Sequence, residues 1–207
     1  TTPTAATPPV PRSRSAADEV AGGGASGAVI IIPPAVLKNS RIRLDLMKPE
    51  HENTRSFTIV VPAAEADRDS TIYLAAPKLK LELPIRAVNS VEVRSLSQRE
   101  REQASIYVTV EEAWGSEATG LLRRLPAGRV VATPIYRLSA RLSSGGREKE
   151  LAWLNERVTL TTSFDFAQAS WQQPTLYYFD PTRDSWTAAG YFTTWSADAV
   201  LDRPGFW

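Results

Sequence analysis

The sequence predicts an all-β fold, an antiparallel β-sandwich of one large or two small packed units, preceded by a polyproline-type extended arm. Three observations predict it. Apolar residues alternate with polar ones over short segments, as in Ile42, Leu44 and Leu46, or Leu79, Leu81 and Leu83, or Val158, Leu160 and Thr162, which is the period-two mark of half-buried strands. Prolines at 49, 62, 77, 84, 126, 134, 174, 181 and 204 punctuate the chain mostly where such segments end, positions at which a missing N–H does least harm. No stretch carries a long apolar stripe at helical spacing. Strands that alternate and are closely spaced by turns pair as antiparallel sandwiches.

Residues 1–27 are the arm and its hinge. Pro3, Pro8, Pro9 and Pro11 stand among Thr, Ala and Ser, and Gly22, Gly23 and Gly24 follow; this composition holds too little apolar surface for a core and reads as polyproline II with a glycine hinge, or equally as a disordered linker. Residues 28–207 form the body, with a possible subdivision near 125–130. Within it the predicted strands are 29–32, 41–46, 56–61, 71–74, 78–83, 90–94, 105–110, 130–138, 150–154, 157–162, 175–179 and 185–194. Residues 97–103 and 117–124 read as short helical connections. Asp180-Pro181 initiates a tight turn, flanked by Tyr178 and Trp186 and closing at Gly190, so a hairpin follows.

Composition excludes several functions. Lys and Arg number 24 against 23 Asp and Glu, interleaved along the chain, whereas nucleic acid or an anionic membrane would require a concentrated basic face. With no cysteine, neither a disulfide framework, a thiolate metal site nor a cysteine nucleophile is available. The longest apolar run, 28–32, is closed by Pro33 and Pro34 and is far too short to span a bilayer. The chain opens on Thr1 without an initiator methionine or signal region, which reads as a processed product or fragment.

Catalytic motifs meet the same shortage. The single histidine, His51, sits in a polar stretch beside Pro49, where a general base would be solvated and poorly held. Glu65, Asp67 and Asp69 alternate as calcium ligands do, but the loop lacks the glycine at its sixth position and has Ala76 where the bidentate glutamate belongs. The glycines at 22–24 precede the first strand and lack a following Gly-Lys-Ser/Thr, so no phosphate loop is present. The expectation is no catalytic residue, no cofactor and no metal.

Aromatic residues are more telling. Twelve of the eighteen lie at or after Phe164, and they either build the C-terminal half of the core or leave a surplus for an exposed contact surface. Trp171, Tyr177, Trp195, Phe206 and Trp207 are therefore candidate interaction residues, as are Pro8, Pro9 and Pro11 of the arm, whose rings suit aromatic grooves.

Two stretches carry a family resemblance. Residues 26–37, reading Ser-Gly-Ala-Val-Ile-Ile-Ile-Pro-Pro-Ala-Val-Leu, resemble the opening of ZU5-type domains, with Ala35 or Val36 where that family places glycine or alanine. Residues 154–164 followed by 176–190 resemble the last strands of ZU5-UPA assemblies and equally those of GAIN domains of adhesion receptors and polycystin-like proteins. Leu176 and Tyr191 stand near the GAIN cysteine positions, and the His-Leu-Ser/Thr cleavage triplet is missing. The resemblance implies a β-sandwich module without self-cleavage that serves as a rigid spacer or protein-binding unit.

The expected role is a non-catalytic structural module of a larger secreted or surface filament-type protein, such as a flagellar or cell-wall fibre. Its partners would be other protein chains, copies of itself or a fibre component, with O-glycans on the arm. Two alternatives stand beside it. One is an intracellular, cytoplasmic scaffold of ZU5-UPA kind, which the lack of cysteine and of Asn-x-Ser/Thr sequons favours; the other is a carbohydrate-binding module using the C-terminal aromatics.

Overall fold

The computed structural model of this chain describes residues 27–152, 154–162, 175–191, 197–201 and 203–207. Pro8, Pro9 and Pro11 of the arm, together with Trp171 and Trp195, lie outside the described residues.

Two sheets pack face to face. The strands are β1 (Gly27–Ile31), β2 (Arg41–Asp45), β3 (Ser56–Pro62), β4 (Thr71–Ala75), β5 (Leu79–Pro84), β6 (Ser105–Glu112), β7 (Tyr136–Ser144), β8 (Arg147–Glu150), β9 (Val158–Thr162), β10 (Thr175–Asp180), β11 (Ser185–Tyr191), β12 (Ala197–Leu201) and β13 (Gly205–Phe206). The larger sheet runs β1-β3-β6-β7-β13-β10-β11, with β8 also on β7; the smaller runs β12-β9-β5-β4-β2. Between them lie fully buried aliphatic side chains, among them Leu37, Ile59, Ile72, Leu83, Ile106, Leu138 and Leu201. Each comes from the inward half of an alternating strand or from a turn that plugs the layer.

Most pairs are antiparallel, but β1–β3 and β2–β4 are parallel. The cause is the route of the chain. From β1 to β4 it alternates between the layers, so strands of the same layer are two passes apart and run in the same direction. Period-two alternation specifies faces, and it is silent about this direction.

Three predicted strands require correction. Residues 90–94 are a short helix, Val91–Arg94, because the Ser90 hydroxyl accepts the Val93 N–H at 3.5 Å and starts a turn. The 130–138 strand begins only at Tyr136 and continues to Ser144; Pro134 stands in the part that fails. The 150–154 strand lies instead at Arg147–Glu150. There all four side chains are exposed, so no apolar alternation marks it, and the ladder from β7 holds it. The two connections form helices as expected, Gln98–Gln103 with a capping box between Ser97 and Glu100, and Gly115–Leu122.

Candidate interaction surfaces

The C-terminal hairpin is built as its sequence predicts. The Asp180 carboxylate accepts the backbone N–H groups of Thr182 and Arg183 at 2.9 and 3.3 Å, an Asx turn that reverses the chain after Pro181. β10 and β11 then pair, with Phe179 opposite Trp186 and Leu176 opposite Gly190. Trp186 is 8% exposed and its Nε1 donates to the Leu121 carbonyl at 2.9 Å. Its ring meets Phe179 edge-on at 5.4 Å, and both pack with Ala113, Leu121 and Ile135 into a small second core.

Tyr177 and Phe206 are part-buried against that second core, and Trp207 against the main one. Tyr178 stacks at a tilt on Trp207, 4.9 Å between centroids. Its ring also lies over Gly205, where a Cβ would come within 2.5 Å of Cε2. That approach and a φ of +144° reserve the position for glycine. Trp207 is fastened at both ends, its backbone exchanging two hydrogen bonds with Tyr136 and its Nε1 donating to the Arg203 carbonyl. These described aromatics thus spend much of their area on packing and present no open platform.

An open surface lies at the other end of the larger sheet, and the sequence reading did not single it out as a site. β1 is an edge strand, Gly-Ala-Val-Ile-Ile, without a charge. Ala28 and Ile30 turn inward to the core, whereas Val29 is 62% and Ile31 71% exposed. Registers continue this apolar strip into β3, where Val60 is itself buried, so its exposed aliphatic side chains are those of Val29 and Ile31. Ile31 lies opposite Val60, and Val60 opposite Tyr107; Val29 lies opposite Thr58, and Thr58 opposite Thr109. The two threonine hydroxyls bond each other at 2.9 Å.

Two other edges carry charge. β2 points Arg41, Arg43 and Asp45 outward, and β8 carries Arg147, Glu148, Lys149 and Glu150, all exposed. The β10–β11 ladder is broken by a bulge at Leu176/Tyr177. Charges and bulges are the ordinary means of stopping edge-to-edge pairing, and β1 uses neither. The available signal was the run 28–32 itself, uncharged, β-branched and ended by two prolines, which reads equally well as core until topology puts it at an edge.

A second surface combines charged side chains with apolar and aromatic area. The outer face of the smaller sheet holds a shallow groove of about 350 Å³. Arg43, Tyr73, Glu82 and Thr159 form one row across four strands, and Asp45, Ala75, Lys80 and Thr161 the next. Among the described residues no ion pair links the four charged groups, which are two strands apart within each row.

His51 ends the 3₁₀ turn Pro49–His51, and its side chain is 21% exposed beside Glu50 at 3.6 Å, so it is part-buried rather than solvated. Among the described residues no three His, Asp or Glu side chains gather as metal ligands do, and no helix is long and apolar enough to cross a membrane. Comparison with known proteins finds no family model, curated protein or solved structure that matches this chain.

Proposed function

We propose that this chain is a non-catalytic interaction module of a larger secreted or surface filament-type protein, and that it mediates protein–protein assembly. The observation that carries this reading is β1, an uncharged edge strand with Val29 and Ile31 open to solvent in a molecule whose β2 and β8 edges are charged. A bare aliphatic edge is an aggregation hazard unless a partner covers it. The Thr/Pro/Ser-rich arm leading into β1 supports the extracellular form of the reading, since such segments accept O-glycans. Expressed in its native setting, a Val29→Asp/Ile31→Lys double variant should keep its fold and melting temperature but fail to enter the assembled fraction. Normal incorporation would refute the assembly role. Pentoses or hexoses found by mass spectrometry on residues 1–15 select the secreted form; an unmodified arm selects the ZU5-UPA-type adaptor.

The groove on the smaller sheet favours a second reading, a carbohydrate-binding module, at a place other than the C-terminal aromatics. Arg43 and Lys80 donate hydrogen bonds, Asp45 and Glu82 accept them, and the Tyr73 ring lies between. The summed charge of these four is zero, which suits an uncharged polyhydroxylated ligand that stacks on an aromatic face. Tyr73→Ala should abolish retention on glycan arrays if this reading holds; wild-type protein that binds no glycan would eliminate it.

A further inference from the structure

The bare edge of β1 is shaped for a second copy of itself. In a parallel ladder alternate residues direct both N–H and C=O at the partner strand. Ile32 N–H donates to the Val60 carbonyl at 3.0 Å, which places Ala28 and Ile30 in the same set, facing β3. Gly27, Val29 and Ile31 therefore direct their backbone groups at the free edge, and they are the same residues whose side chains stand on the exposed outer face. Their three N–H and three C=O groups have no partner among the described residues.

We propose that β1 pairs antiparallel with the β1 of a second copy about a two-fold axis through Val29, joining the two larger sheets into one. The proposal rests on the assembly reading above and names its partner. With Val29 on the axis, Val29 opposes Val29, Gly27 opposes Ile31 and Ile31 opposes Gly27, so all six free groups of each copy become paired in six hydrogen bonds. Side chains agree with this register. On the outer face each Ile31 lies over the partner's Gly27, covering a backbone that has no side chain of its own, and on the inner face each Ile30 meets Ala28. Large opposes small at every position away from the axis. The flanking outer face, Ser56, Thr58, Val60 and Pro62 on β3, carries no charge, so it sets no like charges against those of a second copy. Pro33 and Pro34 limit the pairing to this length, since neither supplies an N–H. Residues 1–26 are a poorer occupant by composition, with prolines at 3, 8, 9 and 11 and the acidic pair Asp18-Glu19 in the stretch nearest the hinge.

The chain contains no cysteine, so single introduced thiols report the register cleanly. In the full-length purified chain the two Val29 Cα atoms would lie about 5.5 Å apart as a hydrogen-bonded pair, inside the roughly 4.4–6.8 Å that a disulfide bridges. The two Ile31 Cα atoms, offset by four residues along the strands, would be separated by roughly 13 Å or more. Val29→Cys should cross-link to covalent dimer under a mild oxidant and Ile31→Cys alone should not, whereas a mixture of Gly27→Cys and Ile31→Cys should yield the heterodimer. Wild-type chain should sediment as a concentration-dependent dimer, and Ile31→Lys as a folded monomer. Wild-type protein that stays monomeric, or self-cross-linking of Ile31→Cys in place of Val29→Cys, overturns the two-fold pairing. In that event, loss of native incorporation by Val29→Asp/Ile31→Lys leaves the assembly reading standing with a different protein on this edge, whereas its normal incorporation removes both.

Discussion

At the scale of single residues, two aromatic side chains show how polar handles are buried. Trp186 brings a large ring and one N–H into the second core, and the Leu121 carbonyl accepts that N–H. Trp186→Ala should cost about 3–5 kcal/mol in chemical denaturation, whereas Trp186→Phe, which keeps a ring and deserts the carbonyl, should cost about 1–3 kcal/mol. A melting curve unmoved by the alanine would show that the second core contributes nothing to global stability. Tyr136 sits deeper, its hydroxyl near the Lys78 carbonyl at 3.3 Å and the Thr162 hydroxyl at 3.4 Å. Burial raises its pKa above the ordinary tyrosine value, the Thr162 hydrogen bond opposes that, and the nearby Glu112 carboxylate adds to it. A raised folded-state pKa means that stability is fully present below the unfolded value, about 10, and is lost as pH rises through the folded one. Tyr136→Phe should therefore flatten the alkaline limb of a stability–pH curve while leaving its neutral region within about 1–2 kcal/mol of wild type. An alkaline limb identical in the two proteins would locate the alkaline transition elsewhere.

At the scale of elements, what the sequence makes legible is whatever buries something locally. Strands β2, β4, β5, β6 and β9 announce themselves because alternate side chains enter the core. The β10–β11 turn does so because Asp180 makes its own bonds to the turn backbone. β8 buries nothing and is invisible to apolar pattern, although Gly145 and Gly146, at φ of 57° and 76°, mark its hairpin from within the sequence. Gly146→Val should cost about 1–2 kcal/mol, readable as a drop in melting temperature, and Gly145→Asn should be nearly silent because asparagine tolerates the left-handed region. Equal effects would mean that the turn rearranges. Residues 90–94 failed in the opposite direction: two valines two apart look like a strand, and one serine cap outweighs them. The open edge of β1 was not legible at all, because an aliphatic run has the same composition in a core strand and at an edge. Only the order of strands in the sheet, a long-range property, separates the two.

At the scale of the whole molecule, the interlocked route that makes β1 parallel to β3 also decides what kind of assembly this module supports. Because β1 precedes its own layer's neighbour by a pass through the other sheet, it ends at a margin and not between strands. A two-fold contact at that margin is isologous and closes after two copies, so it cannot by itself propagate a filament. Growth needs a second, different contact. By composition the arm is suited to make it: Gly27, where β1 opens, is the first described residue, and proline rings lose little conformational freedom on docking. Its own Thr, Ala, Pro and Ser side chains offer little apolar area, so a groove that grips the prolines would have to lie outside the packed C-terminal aromatics. Deleting residues 1–20 removes none of the described strands, so the truncated chain should melt at the wild-type temperature in dilute solution. It should stop at dimers, and Val29→Asp/Ile31→Lys in the full chain should stop at monomers. Electron microscopy and sedimentation of the two variants side by side separate these end points. Filaments that grow normally without the arm would leave it a passive linker and require the second contact to lie on the β body.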